Sequence, residues 1–336
     1  MTKPGRNVPF PPMEAQLVNE LPVGKGWQYE PKWDGFRGVL ENDGGELALW
    51  SRNGRPLLRY FPELRELGDE LPPHSALDGE IVVEHAGRLE FDLLQMRLHP
   101  AESRVRKLAA ETPARFVCFD LLLWKGEPVW QQPLAKRRKR LEKLRFEISP
   151  ASPEPEQARE WLDRLDAIGL DGVVAKRLDS PYLPGSREAV QKVKEHRTAD
   201  CVVVGVRWKV KPTALATLLL GLYEDGGRLD YVGSCAVAAG RQAEILALVK
   251  PLFKGAPERG FAEPNRWGTG GLEEAAVRPE LVVEVRYDKV QGNRFRHGTR
   301  LLRFRPDKEA SECTWTQVRP PRRKDDPTVE KLLASG

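Results

Sequence analysis

Apolar and polar residues alternate along much of the chain, the period of a half-buried strand. Short glycine-containing turns separate these runs, among them Asn42-Asp43-Gly44-Gly45, His85-Ala86-Gly87 and Glu224-Asp225-Gly226-Gly227. Such spacing predicts antiparallel hairpins rather than a doubly wound parallel sheet. A helical period appears at residues 60–71, where Phe61, Leu64, Leu67 and Leu71 share a face, and again at 134–145, 156–168 and 241–253. Those stretches predict helices packed on the sheets. The Pro-rich stretch 8–12 and the Pro/Ser/Glu stretch 149–156 read as loops.

Beyond residue 200 the pattern is mostly short strands, at 201–208, 216–223, 228–236, 281–287 and 300–305, around the helix at 241–253. That count suits a five-stranded barrel of OB type, and a β-sandwich equally well. The polar run from Glu195 to Asp200 marks a domain boundary and a candidate hinge. A chain of 336 residues is long for one core, so two domains are expected, at 1–197 and 198–336.

Composition narrows the class. With 40% hydrophobic and 31% charged residues the chain is globular rather than disordered. No stretch approaches the roughly 20 apolar residues of a membrane helix, and no apolar run follows the charges near Met1, so a cytoplasmic protein without a membrane partner is expected. The four cysteines form no CxxC pair, which argues against a structural zinc module and against a disulfide framework. The net charge of +5 is unevenly distributed. Residues 1–196 hold 30 Lys plus Arg against 31 Asp plus Glu, whereas residues 197–336 hold 24 against 18. The positive excess therefore lies in the C-terminal part, as a polyanion-binding module requires.

Candidate chemistry begins at Glu30-Pro31-Lys32-Trp33-Asp34-Gly35-Phe36-Arg37. Pro31 fixes its own φ and Gly35 permits close backbone approach, so Lys32 can be held rigidly; alone, the segment reads first as a surface lysine in a turn. Six clusters follow in order: Ser51-Arg52-Asn53-Gly54, Asp78-Gly79-Glu80, Phe119-Asp120, Asp171-Gly172-Val173-Val174-Ala175-Lys176, Lys192-Val193-Lys194, and Arg303-Phe304-Arg305-Pro306-Asp307-Lys308.

Together these clusters resemble motifs I, Ia, III, IIIa, IV, V and VI of the covalent nucleotidyltransferases, the superfamily of DNA ligases, RNA ligases and mRNA capping enzymes. Four longer phrases, at 29–37, 51–64, 170–177 and 294–308, are most similar to bacterial ATP-dependent DNA ligases of the LigC type and to the ligase module of LigD. The resemblance implies an α+β fold, in which an antiparallel-sheet nucleotidyltransferase (ATP-grasp-like) domain precedes an OB-fold β-barrel. It also implies a DNA ligase that uses ATP and magnesium or manganese to seal nicked double-stranded DNA, acting as a monomer beside DNA repair proteins. An RNA ligase or capping-type enzyme is the alternative, and a non-catalytic OB-fold nucleic-acid-binding protein a remote one.

In that reading Lys32 is the nucleophile that carries AMP. A free lysine is mostly protonated at neutral pH, and neighbouring cations favour its amine form. Lys192 and Lys194, on one face of a strand, would supply that charge near the α-phosphate. Glu80 contacts the ribose, and Asp171 with Glu80 provides carboxylates for the metal. Asp171 departs from the family, which more often has glutamate there. Phe119 stacks on adenine, although Phe116 or Trp124 could be confused with it, and Glu30 reads the adenine edge. Lys176 is a further nucleotide contact. Arg37 and Arg52 clamp the nick phosphate with their planar forks, or form ion pairs with a carboxylate such as Asp34. Arg303 and Arg305 of motif VI orient the pyrophosphate during the first step. Val190 is a second departure, at a place where relatives commonly show tryptophan.

Overall fold

The computed structural model describes residues 4–194, 197–211, 213–254, 273–296, 298–319 and 326–335. The chain divides into two compact units, one formed by Met1–Glu195 with Arg323–Gly336 and the other by His196–Arg322.

The first unit contains two sheets. One has the strand order Gln16–Val18, Val190–Lys194, Gly172–Arg177, Trp27–Pro31. Its only parallel ladder joins the first two of these strands, and the rest is antiparallel. The other sheet is antiparallel and is built on Leu47–Ser51, Phe36–Asn42, Ser75–His85 and Ala114–Leu123, with the short strand Arg88–Leu89 continuing beside Ser75–His85. The hairpins at residues 42–45 and 85–87 form as the turns predict. Alternate residues of these strands enter the core, where Leu40, Leu77, Ile81 and Leu121 are fully buried. Each such side chain contributes roughly 2 kcal/mol of hydrophobic stabilisation.

The helical stretches fall close to their predicted positions, at Leu134–Leu141, Pro155–Arg164 with a 3-10 extension to Ile168, and Gln242–Val249. The stretch at 60–71 differs. It forms two 3-10 turns, Leu58–Tyr60 and Pro62–Gly68, which still bury Leu58 and Leu64. Pro62 lacks the N–H that would carry an α-helix through this point. The helices Phe91–Met96 and Glu102–Glu111 were not anticipated.

In the second unit the main antiparallel sheet has the order Leu229–Ala236, Ala214–Tyr223, Arg197–Val210, Val282–Tyr287, Arg300–Phe304; Glu274–Ala276 also pairs with Arg197–Val210, and a separate two-stranded ribbon joins Val290–Gln291 to Arg294–Phe295. One parallel bridge, Cys235 to Thr299, joins the two ends of this order. Among the described residues no full ladder closes the barrel, but the strand order and the helix after the third long strand are those of the OB fold.

Part of the expected second domain belongs elsewhere. The closing helix Val329–Leu333 buries Val329 and Leu332 in the core of the first unit, beside Trp161 and Ile168. Two apolar positions three residues apart were too short a signal to reveal this. Of the candidate hinge, Glu195 and His196 lie outside the described residues.

Candidate active site

A cavity of about 480 Å³ opens in the first unit, and the strand ends that carry the motifs line it. Lys32 directly follows the strand Trp27–Pro31, and its backbone N–H donates to the Gly172 carbonyl at 2.9 Å. Gly172 is required there, because a Cβ would lie 2.2 Å from the Val193 carbonyl oxygen. The register pairs Gly172 with Lys194 and Pro31 with Val173. Asp171, one residue before this strand, is thereby flanked from both neighbours. Lys32 Nζ donates to Asp171 Oδ1 at 2.6 Å, and Lys194 Nζ lies 3.0 Å from Oδ2. Burial alone would raise the Asp171 carboxyl, but the two ammoniums outweigh it and hold the group well below the usual carboxylate range. Lys192 lines the cavity two residues before Lys194. Burial, then repulsion from Lys32, Lys194 and Arg187, lowers its pKa.

The opposite wall comes from the second sheet. Arg37 pairs in register with Glu80, and Asp78 lies diagonally across from Arg37 on the same face. Arg37 forks onto Asp78, with Nε 2.6 Å from Oδ1 and Nη2 2.5 Å from Oδ2. Asp78 is fully buried. Of the two roles open to Arg37 the ion pair is therefore realised, with Asp78 rather than Asp34, while Nη1 makes no hydrogen bond among the described residues. Glu80 differs from Asp171. Burial raises it to about 7 despite the nearby Arg37 and Lys32 charges, so near neutrality it is half protonated and able both to donate and to accept.

Phe119 occupies a β-bulge. Asp78 pairs with Asp120 and Gly79 with Cys118, which leaves Phe119 without an opposite residue. Bulges re-aim side chains, and this one turns the ring to the cavity while Phe116 and Cys118 stay in the core. Two cations face the ring, the Arg37 guanidinium and the Lys176 ammonium, each 4.6 Å from its centroid. Lys176 also pairs with Glu30 at 2.7 Å, and Gln28 Nε2 donates to the same Glu30 oxygen at 2.8 Å. Asp120 is withdrawn from chemistry, its carboxylate held by the buried Arg137 at 2.7 and 2.9 Å.

Residues 12–194 match the profile of the ATP dependent DNA ligase domain, and residues 211–308 that of the ATP dependent DNA ligase C terminal region. The chain belongs to the ATP-dependent DNA ligase family. It is similar to DNA ligase C1 of Mycolicibacterium smegmatis, 44% identical over 331 residues that cover 93% of this chain and 94% of the relative. DNA ligase C of Mycobacterium tuberculosis is 40% identical over 341 residues, covering 93% and 94%. Among solved structures, mycobacterial DNA ligase D complexed with ATP and MES is 29% identical with a TM-score of 0.50, covering 91% of this chain and 98% of that one.

The ligase fold thus gathers Glu30, Lys32, Arg37, Arg52, Glu80, Phe119, Lys176 and Lys192 around one cavity. Asp171 joins it through Lys32, and Lys194 through Asp171. Arg303 and Arg305 belong to the second unit, where Arg303 pairs with Glu284 and Arg305 with Asp200 and Asp307. Sequence reasoning gave no role to Met13, Tyr182 or Asp78, although all three line the cavity. Only Asp78 had a visible signal, its place beside Glu80 in motif III.

The carboxylates that suit a hard divalent cation here are those of Asp171 and Glu80. The Asp171 carboxylate has an ammonium at each oxygen, and Glu80, raised to about 7 by burial, would ionise on binding a cation. Among the described residues no group of three or more His, Cys, Asp or Glu could hold a metal, so phosphate oxygens and water would complete the shell. No described helix is long and apolar enough to cross a membrane.

Proposed function

We propose that this ligase seals 3′-hydroxyl/5′-phosphate nicks in duplex DNA through an AMP carried on Lys32. The observation that carries the reading is the position of Lys32 in the cavity, fixed through its backbone to Gly172 and through Nζ to Asp171. Adenine stacks on Phe119 with its edge toward Glu30, and the ribose hydroxyls lie against Glu80. The phosphates then point toward Lys32, Lys192 and Lys194.

In the first step Nζ of Lys32 attacks the α-phosphorus, an N–P bond forms, and the bond to pyrophosphate breaks. Attack needs a lone pair on Nζ, so the Lys32 ammonium first gives up a proton to solvent; the neutral amine can still donate an N–H to Asp171. Lys192 and Lys194 stabilise charge on the α-phosphate, and Arg303 and Arg305 orient the leaving pyrophosphate. In the second step an oxygen of the nick 5′-phosphate attacks the same phosphorus and Lys32 leaves. In the third the 3′-hydroxyl attacks the 5′-phosphate and AMP departs. The free Nη1 of Arg37 and the exposed Arg52 suit the nick phosphate through these two steps. Asp171 would hold magnesium or manganese, which neutralises phosphate charge when bound. Glu80 lies against the ribose and is the second carboxylate available to the metal.

The same reading gives the enzyme nicked DNA as its macromolecular substrate, DNA repair proteins as partners, a monomeric state and a cytoplasmic location. The test is incubation with labelled ATP or GTP, followed by nicked DNA or nicked RNA. Label from ATP chased into sealed DNA supports the proposal, while preference for GTP or for RNA transfers it to a capping enzyme or an RNA ligase.

A further inference from the structure

Four residues from four separate segments close a hydrogen-bonded ring at the cavity wall. The Met13 N–H donates to Tyr182 Oη at 2.8 Å, and the Tyr182 hydroxyl donates to Asp78 Oδ2 at 2.6 Å. Arg37 Nη2 completes the circuit, donating to Asp78 Oδ2 at 2.5 Å and to the Met13 carbonyl at 3.2 Å. Tyr182 is itself fixed, since its N–H donates to the Trp130 carbonyl at 2.8 Å and its ring lies against Phe10 and the Arg137 guanidinium. It is 1% exposed.

We infer that Tyr182 is a positioning residue for Arg37: its hydroxyl orients Asp78, and through Asp78 the arginine Nη1 that is left to meet a substrate phosphate. A carboxylate with only the arginine for a partner could rotate with it. The tyrosine takes up the second lone pair of Oδ2 and ties the pair to the backbone of Met13. Burial, then the Asp78 charge, pushes the phenol pKa well up, so the hydroxyl remains a donor throughout the working pH range. The ring also sets the Arg37 guanidinium over Phe119, so both substrate-facing groups depend on it.

This inference rests on the proposed role of Arg37 in sealing, and a double-mutant cycle separates the two. Wild type, Tyr182→Phe, Arg37→Ala and the double variant are each converted to the AMP-bound form and mixed with saturating nicked duplex in a single turnover. Thermal unfolding confirms that each is folded. Tyr182→Phe should slow sealing about tenfold, as loss of a hydrogen bond to a charged group does. In the Arg37→Ala background the same change should cost less than about twofold, because the residue it acts through is gone. A purely structural tyrosine would give equal effects in both backgrounds, and that result, or wild-type sealing by Tyr182→Phe, overturns the inference. Arg37→Ala sealing at the wild-type rate refutes the role of Arg37 instead. Should Tyr182→Phe not fold, Asp78→Asn, which weakens the ring from its carboxylate side, replaces it in the cycle.

Discussion

Lys32 Nζ and Asp171 Oδ1 lie 2.6 Å apart across 139 residues of sequence, and Lys194 takes the other oxygen of the same carboxylate. One acid therefore holds both the proposed nucleophile and a lysine proposed to bind phosphate, and it is also proposed to hold the metal. Asp171→Asn keeps the shape and removes the charge. Formation of the protein–AMP adduct should fall by at least about 100-fold, the scale of losing one charge-stabilising group. Asp171→Glu, which keeps the charge on a longer side chain, should stay within about tenfold of wild type. Adenylation kinetics with labelled ATP measure both.

Glu80 predicts a pH effect of opposite sign to that of an ordinary paired carboxylate. Burial raises it from 4.5 to about 7 in the folded protein, so the folded state holds its proton more tightly than the unfolded one. The stabilisation is complete below about pH 4.5 and is lost as pH rises through 7. Glu80→Gln has no such loss. At pH 8 it should be more stable than wild type by about 1–3 kcal/mol, with little difference at pH 4.5, while its KM for ATP rises. Denaturant titrations at the two pH values decide this; equal stability at pH 8 would contradict it.

The Lys176–Glu30 pair is buried on both sides, at 8% and 2% side-chain exposure. Lys176→Met should therefore cost about 3 kcal/mol or more, since Glu30 is left charged and buried, and adding Glu30→Gln should recover part of that loss. Unfolding midpoints of the single and double variants test the order. If instead the single variant is as stable as wild type, the pair is not the buried anchor described here.

Arg305 separates loading from sealing. It lies in the second unit, held by Asp200 at 2.9 Å and by Asp307 at 2.8 Å. If its work is to orient pyrophosphate, Arg305→Ala should slow adduct formation about 100-fold. Once adenylated, that variant should seal nicks within about threefold of the wild-type rate. A sealing defect as large as the loading defect would place Arg305 elsewhere in the reaction.

Much of this molecule was legible in its sequence because hairpins and motif order are local. The turns at 42–45 and 85–87, the five predicted strands of the second unit and the cluster around Lys32 all follow from neighbouring residues. What escaped depends on distance in sequence. Tyr182 meets Asp78 across 104 residues, Arg137 removes Asp120 from the solvent-facing acids, and the closing helix returns to the first unit through two side chains. Phe119 was identified from its motif context, but its orientation follows from a bulge that only the register reveals. Glu80 and Asp171 looked alike as acids beside glycines. Their difference comes from what lies against them, two ammoniums for one and chiefly burial for the other.

Lys32 is the residue proposed to carry the nucleotide. Purified protein incubated with ATP and magnesium, digested and analysed by peptide mass spectrometry, should yield the Lys32 peptide with an added AMP, and Lys32→Ala should yield no adduct anywhere. An adduct on a different side chain, or an undiminished adduct in Lys32→Ala, would contradict the account.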